Sequence, residues 1–160
     1  MMTFTRRYRF SASHRLHSRE LSDSENARVY GKCNNPFGHG HDYVLAVSVA
    51  GPVDERTGLI VSVAALDDFI KRHILPLFAN RNINLDVPQF ENLAATTENV
   101  ALVIADLIQE YWPEEFGATP ASVSMVHIQE TGRNGFEVLL GAAGHKSQVR
   151  AGMESVTVHG

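Results

Sequence analysis

The chain has 160 residues and a mass of 17.6 kDa, with 44% hydrophobic and 20% charged residues, which is enough apolar material for one domain with a buried core. Its 14 Lys+Arg against 18 Asp+Glu give a formal net charge of −4 and a pI near 6.0, arguing against a generic nucleic-acid or anionic-membrane binder. The single cysteine, Cys33, excludes an internal disulfide framework or a four-cysteine zinc site; no apolar run nears the ~20 residues of a membrane span, and MMTFTRRYRF lacks a signal-peptide core, so a soluble cytoplasmic domain is expected.

From Thr3 to His14 the chain alternates, with Phe4, Tyr8, Phe10 and Ala12 on one face and Arg7 and Arg9 on the other; Arg6 interrupts the apolar row. This predicts a strand with one face turned inward. Residues 15–38 hold Ser, Asp, Asn, Gly and Pro without period and read as a long loop, a kind that is commonly functional or disordered. A second strand is predicted from His39 to Ala50, ended by Gly51-Pro52, with a turn over Asp54 to Gly58. Leu66, Phe69, Ile70, Ile74 and Leu77 fall at helical spacing after Ser62, a suitable N-cap, and Pro76 ends or kinks the last turn. Residues 78–95 look irregular. A second helix begins near Thr96-Thr97-Glu98 with the stripe Val100, Val103, Ile104, Leu107, Ile108 and Tyr111, and Pro113 is placed just past its end. Two strands over 121–130 and 135–141 flank a hairpin turn. The tail, 142–160, has weak pattern and is expected to be poorly ordered. The order β-β-α-α-β-β predicts an α+β domain with an antiparallel sheet and helices on one face.

The histidines carry the first chemical signal. His14 extends the apolar row of the first strand, and His39 and His41 extend that of the second, two residues apart and therefore on one face. If the strands pair, three neutral imidazoles meet with a fourth position open, the composition of a catalytic zinc site. The bland alternative is histidines packed on Tyr43 or bonded to loop carbonyls; the shared facing of all three weighs against it. His17 competes as a ligand, and His73 suits a core or interface position. Cys33 sits in a polar, glycine-bearing loop beside Lys32, where a cation and a nearby metal both favour the thiolate; a proton-transfer base, a nucleophile or a fourth ligand remain open for it. Glu98 fits the positive end of a helix without further role. Glu130 either continues a buried row, able to grip an N–H-rich ring by two hydrogen bonds, or faces solvent at the hairpin.

The stretches Phe10-Ser-Ala-Ser-His14, Gly31-Lys-Cys-Asn-Asn-Pro-Phe-Gly-His-Gly-His41, Asn84-Leu-Asp-Val-Pro88, Thr96-Thr-Glu-Asn-Val100 and Glu130-Thr131 resemble the 6-pyruvoyl-tetrahydropterin synthase family, in its order and spacing over roughly residues 3–141. The resemblance implies the T-fold (tunnelling fold): a ββααββ subunit with a four-stranded antiparallel sheet and two helices on one face, forming an oligomeric barrel, here a homohexamer of two trimers with sites between subunits. It implies Zn²⁺ on His14, His39 and His41, the side-chain hydroxyls of 7,8-dihydroneopterin triphosphate on the metal, and Cys33 moving protons as triphosphate leaves. It further implies Glu130 anchoring the pterin ring, with Glu98, Thr96 and Thr97 lining the pocket. One departure stands out. Where the family carries an Asp-His pair in the proton relay, this chain has Ala79 and Asn80, and loss of a proton-transfer partner can cost ~10²–10⁴ in rate. Two alternatives follow: a catalytically reduced zinc- and pterin-binding homologue, or an enzyme resembling 6-carboxy-tetrahydropterin synthase. A nucleic-acid module using Arg6, Arg7 and Arg9 ranks below both.

Overall fold

The alternation from residue 3 onward is realised as β1 (Met2–His14) in a computed structural model that describes residues 1–141. Strand β1 pairs antiparallel with β2 (His39–Gly51) along its whole length, from Met2 opposite Gly51 to His14 opposite His39. Facing positions share a side of the sheet, so Phe10 lies against Tyr43 with ring centroids 5.2 Å apart, and Phe4 and Tyr8 stand opposite Val49 and Leu45. Arg6, which interrupts that row, has a partner above the sheet. Its guanidinium forks onto Asp67 at 2.9 and 2.8 Å, and the Tyr8 hydroxyl donates to the same carboxylate. These donors hold the Asp67 carboxyl below its ordinary range, the Arg6 hydrogen bond first among them.

Helices α2 (Val63–His73) and α5 (Thr97–Phe116) set their apolar stripes into the core: Leu66, Phe69 and Ile70 from the first, Val100, Val103, Ile104, Leu107 and Ile108 from the second. Ser62 caps the first as expected and Thr96 caps the second, their hydroxyls accepting the N–H of Ala65 and Asn99. Pro76 falls in the first turn of a short α3 (Leu75–Phe78), where a missing N–H leaves no bond unmade. Two strands, β4 (Ser122–Gln129) and β5 (Gly135–Leu139), form the expected hairpin.

Four expectations change. The predicted loop 15–38 contains α1 (Asp23–Tyr30), opened by a capping box between Ser22 and Glu25 and followed by a 3₁₀ turn over Gly31–Asn34. Within 78–95, Arg81–Asn82 forms β3, parallel to β1, and Ile83–Asp86 makes one helical turn, α4. The sheet therefore has five strands, ordered β3-β1-β2-β4-β5, rather than the four predicted. Helix α5 runs through Pro113 to Phe116. An internal proline disfavours a helix by about 3 kcal/mol, but Trp112 and Phe116 stack at 4.1 Å, both pack on Phe69, and the Trp112 indole donates to the Ala121 carbonyl. Burial of two large aromatic rings outweighs the local preference. The tail assigned to 142–160 lies outside the described residues.

Helix α1 buries a single residue, Asn26. Its amide donates to the carbonyls of Ser18, Leu21 and Ser22 and accepts from the Ser18 N–H. One side chain thus satisfies the backbone of the loop that leads to Cys33. Asn26→Ala is expected to lower unfolding free energy by roughly 1–3 kcal/mol, because it removes the side-chain partner of the Ser18 N–H and the Leu21 carbonyl; urea denaturation at unchanged m-value measures it.

Candidate metal centre

The register that pairs His14 with His39 puts His41 across from Ala12, one pleat further along β2. All three imidazoles therefore project from the inward face at one end of the sheet. One ring nitrogen from each lies within 4.8 Å of the others, and the Nε2 atoms of His14 and His39 are 3.2 Å apart. His14 is buried, and its Nδ1 lies 2.8 Å from the Ala95 carbonyl just ahead of α5. A carbonyl only accepts, so Nδ1 carries the proton and Nε2 presents a lone pair, the orientation a metal ligand needs. Burial lowers the His14 pKa, against the raising influence of the Ala95 bond, and burial also lowers that of His41. Both rings are held neutral.

Two observations test whether a metal ion fits. The Nε2 of His41 is buried and has no hydrogen-bond partner, a state natural proteins avoid unless a ligand completes it. Two nitrogens held about 2.0–2.1 Å from a tetrahedral ion stand roughly 3.3–3.4 Å apart, close to the 3.2 Å between His14 and His39. The donor set and its spacing fit a divalent metal ion.

Glu130 follows β4 and turns inward rather than toward solvent. Its Oε1 lies 3.5 Å from His14 Nε2 and 3.7 Å from His41 Nε2, and it accepts a 2.6 Å hydrogen bond from the Thr97 hydroxyl in the first turn of α5. The structure thus brings together His14, His39, His41, Glu130 and Thr97. Thr96 is the helix cap, and Glu98 is exposed in the first turn of α5. Cys33 lies half-buried in the 3₁₀ turn, with its carbonyl accepting the Leu16 N–H, and does not join the ligand group. Nor does His17, whose ring nitrogen bonds Asn34. His73 stacks on Tyr111 beside Glu115. Ala79 and Asn80 form the reversal between α3 and β3, where Asn80 has φ of 59° and its N–H donates to the Ser11 carbonyl. Asn80 shares an open depression with His41 and Asp42. The Ala95 carbonyl was not among the sequence candidates, because a backbone acceptor carries no side-chain signature.

The fold and the histidine cluster define an α+β protein of the T-fold class with three imidazoles gathered at one sheet end, placed so that they could hold a metal ion. A family model described as 6-pyruvoyl tetrahydropterin synthase matches residues 3–139, and the chain belongs to that family. The 6-pyruvoyl tetrahydrobiopterin synthase of Homo sapiens is 46% identical over 109 residues, 68% of this chain and 75% of that one. Its counterpart in Drosophila melanogaster is 43% identical over 130 residues, 81% of this chain and 74% of that one. The solved structure of Caenorhabditis elegans 6-pyruvoyl tetrahydropterin synthase matches with a TM-score of 0.78 at 36% identity, covering 86% of this chain and 94% of that one.

Replacing His41 with Ala is expected to abolish stoichiometric metal retention, read by elemental analysis after dialysis. The depressed pKa values of His14 and His41 also set a pH direction. The unfolded chain protonates these rings near pH 6.5, whereas the folded protein resists, so their contribution is complete above that pH and is lost as pH falls below it. The urea midpoint of metal-free protein should therefore fall from pH 7 to pH 5, and fall less in a His41→Gln variant.

Proposed function

We propose that this chain is a zinc-dependent pterin lyase that eliminates triphosphate from 7,8-dihydroneopterin triphosphate in tetrahydropterin biosynthesis. The observation that carries the proposal is the unpartnered, buried His41 Nε2 facing His14, His39 and the Glu130 carboxylate. Three neutral imidazoles suit zinc better than magnesium. His14, His39 and His41 would hold it, and when bound it would polarise the substrate's side-chain hydroxyls. Glu130, kept in place by Thr97, would bind the N–H edge of the pterin, with Thr96 and Glu98 on the same helix start bordering the pocket. Cys33 would take a proton from a side-chain carbon and return one as triphosphate departs. The proposed assembly is a homohexamer of two trimers that completes each site from neighbouring subunits. The proposed location is the cytoplasm; no described helix is long and apolar enough to cross a membrane.

Zinc-loaded protein should release triphosphate from this substrate, and Cys33→Ala should reduce that release by about 10²–10⁴-fold. Release equal to that of the Cys33→Ala control would remove the lyase reading. Mass spectrometry of the product separates a pyruvoyl product from the carboxy product with acetaldehyde. A second reading is favoured by Ala79 and Asn80, which cannot exchange protons near neutral pH: a protein that binds zinc and pterin with reduced turnover. Tight neopterin binding by calorimetry without product would support it. Ala79→Asp with Asn80→His is expected to raise the rate of triphosphate release; an unchanged rate would place the limiting step elsewhere.

A further inference from the structure

A cavity of about 270 Å³ opens next to the histidine cluster, lined by Arg15, His17, Arg19, Asn84, Glu91 and Asn92 among others. It touches the cluster through three neighbours in the chain. Arg15 follows His14, Gly38 precedes His39, and Ala94 precedes the Ala95 carbonyl that orients His14. Gly38 is pressed so close that a Cβ there would lie 2.7 Å from the His14 carbonyl oxygen, and its φ is +68°. Only glycine meets both conditions cheaply, so this wall of the cavity is fixed against the metal-ligating strand.

The wall is rich in donors. Asn84 clamps the Arg15 backbone from both sides, accepting its N–H at 2.7 Å and donating to its carbonyl at 3.0 Å. The Arg15 side chain commits only Nε, to the Asn34 carbonyl at 3.0 Å, and Arg19 commits only Nη1, to Asn92 at 2.7 Å, among the described residues. His17 accepts from the Asn34 amide at Nδ1, which leaves its proton on Nε2 as a further donor. Two guanidinium groups against one carboxylate, Glu91, make a positive island on a chain whose formal charge is −4. Guanidinium forks match the paired oxygens of phosphates.

We infer that this cavity is a polyphosphate subsite, with Arg15 and Arg19 as its anion-binding groups and Glu91 as the opposing charge that limits affinity. The inference deepens the lyase reading and rests on it only for the source of the anion, a triphosphate ester whose hydroxyl-bearing carbons reach the adjacent cluster. It assigns to Arg15 and Arg19 the charge neutralisation that a departing triphosphate requires.

The test is calorimetry on the zinc-loaded, full-length protein with inorganic tripolyphosphate, and separately with neopterin, which carries no phosphate. Saturable binding of one tripolyphosphate per chain is expected. Arg19→Gln and Arg15→Gln should each raise its Kd about ten-fold, as expected for losing one charge-assisted contact. Glu91→Gln should lower it, a gain that a purely structural role would not produce. Neopterin affinity should be the same in all of these proteins. No saturable binding, an affinity in both arginine variants equal to that of the unaltered protein, or binding that depends on the metal alone would overturn the subsite. Because Arg19 is exposed, its variant keeps the test decisive if Arg15→Gln fails to fold. Neopterin that does not bind while tripolyphosphate does would defeat the pterin reading and leave the subsite standing.

Discussion

The functional end of this protein depends on one pairing, His14 opposite His39 at the end of the β1–β2 ladder. Side chains alternate with a period of two, so a slip of one residue would turn His39 and His41 to the other face and leave His14 alone among apolar groups. The register is held far from the site. Phe10 stacks on Tyr43, Leu45, Val47 and Val49 are fully buried, and Arg6 and Tyr8 both bind Asp67 on α2. Burial of this inward row is worth about 25 cal/mol per Å² of apolar surface removed from water. The core stabilises the sheet, and the sheet's pleat determines where the imidazoles converge.

The sheet alone would leave the cluster incomplete. Helix α5 contributes twice near its start: the Ala95 carbonyl ahead of the Thr96 cap fixes the tautomer of His14, and the Thr97 hydroxyl holds Glu130 at the mouth of the cluster. Glu130 comes from the opposite side, just past β4, where its own N–H is tied to Asn134 in the hairpin turn. A carboxylate beside a helix start is electrostatically favoured. Three separate elements thus converge on one small volume. Local capping and hairpin bonds shape each segment, and the long-range His14–Ala95 and Thr97–Glu130 bonds lock them together.

The parts of this arrangement that were readable in the sequence are those with a period. The alternation of β1, interrupted at Arg6, and that of β2 run into His14 and into His39 and His41, so the pattern alone places the trio on one face. Residues 23–30 were missed because α1 turns one polar side chain, Asn26, into the protein and leaves Val29 exposed, giving no apolar stripe. The Ser22–Glu25 capping box was its only local sign. The two-residue β3 carries no pattern of its own and exists because Asn80 hands the chain to Ser11 of β1. Pro113 misled in the opposite direction, since the local rule was outweighed by aromatic packing available only in three dimensions. For Glu130, sequence offered two orientations, and the choice was made by a partner 33 residues away, Thr97.

The same reasoning bears on the departure at Ala79 and Asn80. Asn80 adopts a left-handed backbone conformation, one in which asparagine, aspartate and histidine are all enriched relative to other non-glycine residues. The reversal that sends the chain into β3 therefore does not require asparagine over histidine; its essential contact is made by the backbone N–H on Ser11. Ala79 makes its bond to Leu75 through the backbone as well. At these two positions the path of the main chain is thus held by backbone bonds and not by the side chains. The ligand trio, Glu130 and the cationic cavity stand on other elements, tied by bonds that none of these two side chains makes. The histidine cluster and the cavity beside it are therefore structurally independent of the side chains at 79 and 80, because they stand on different segments.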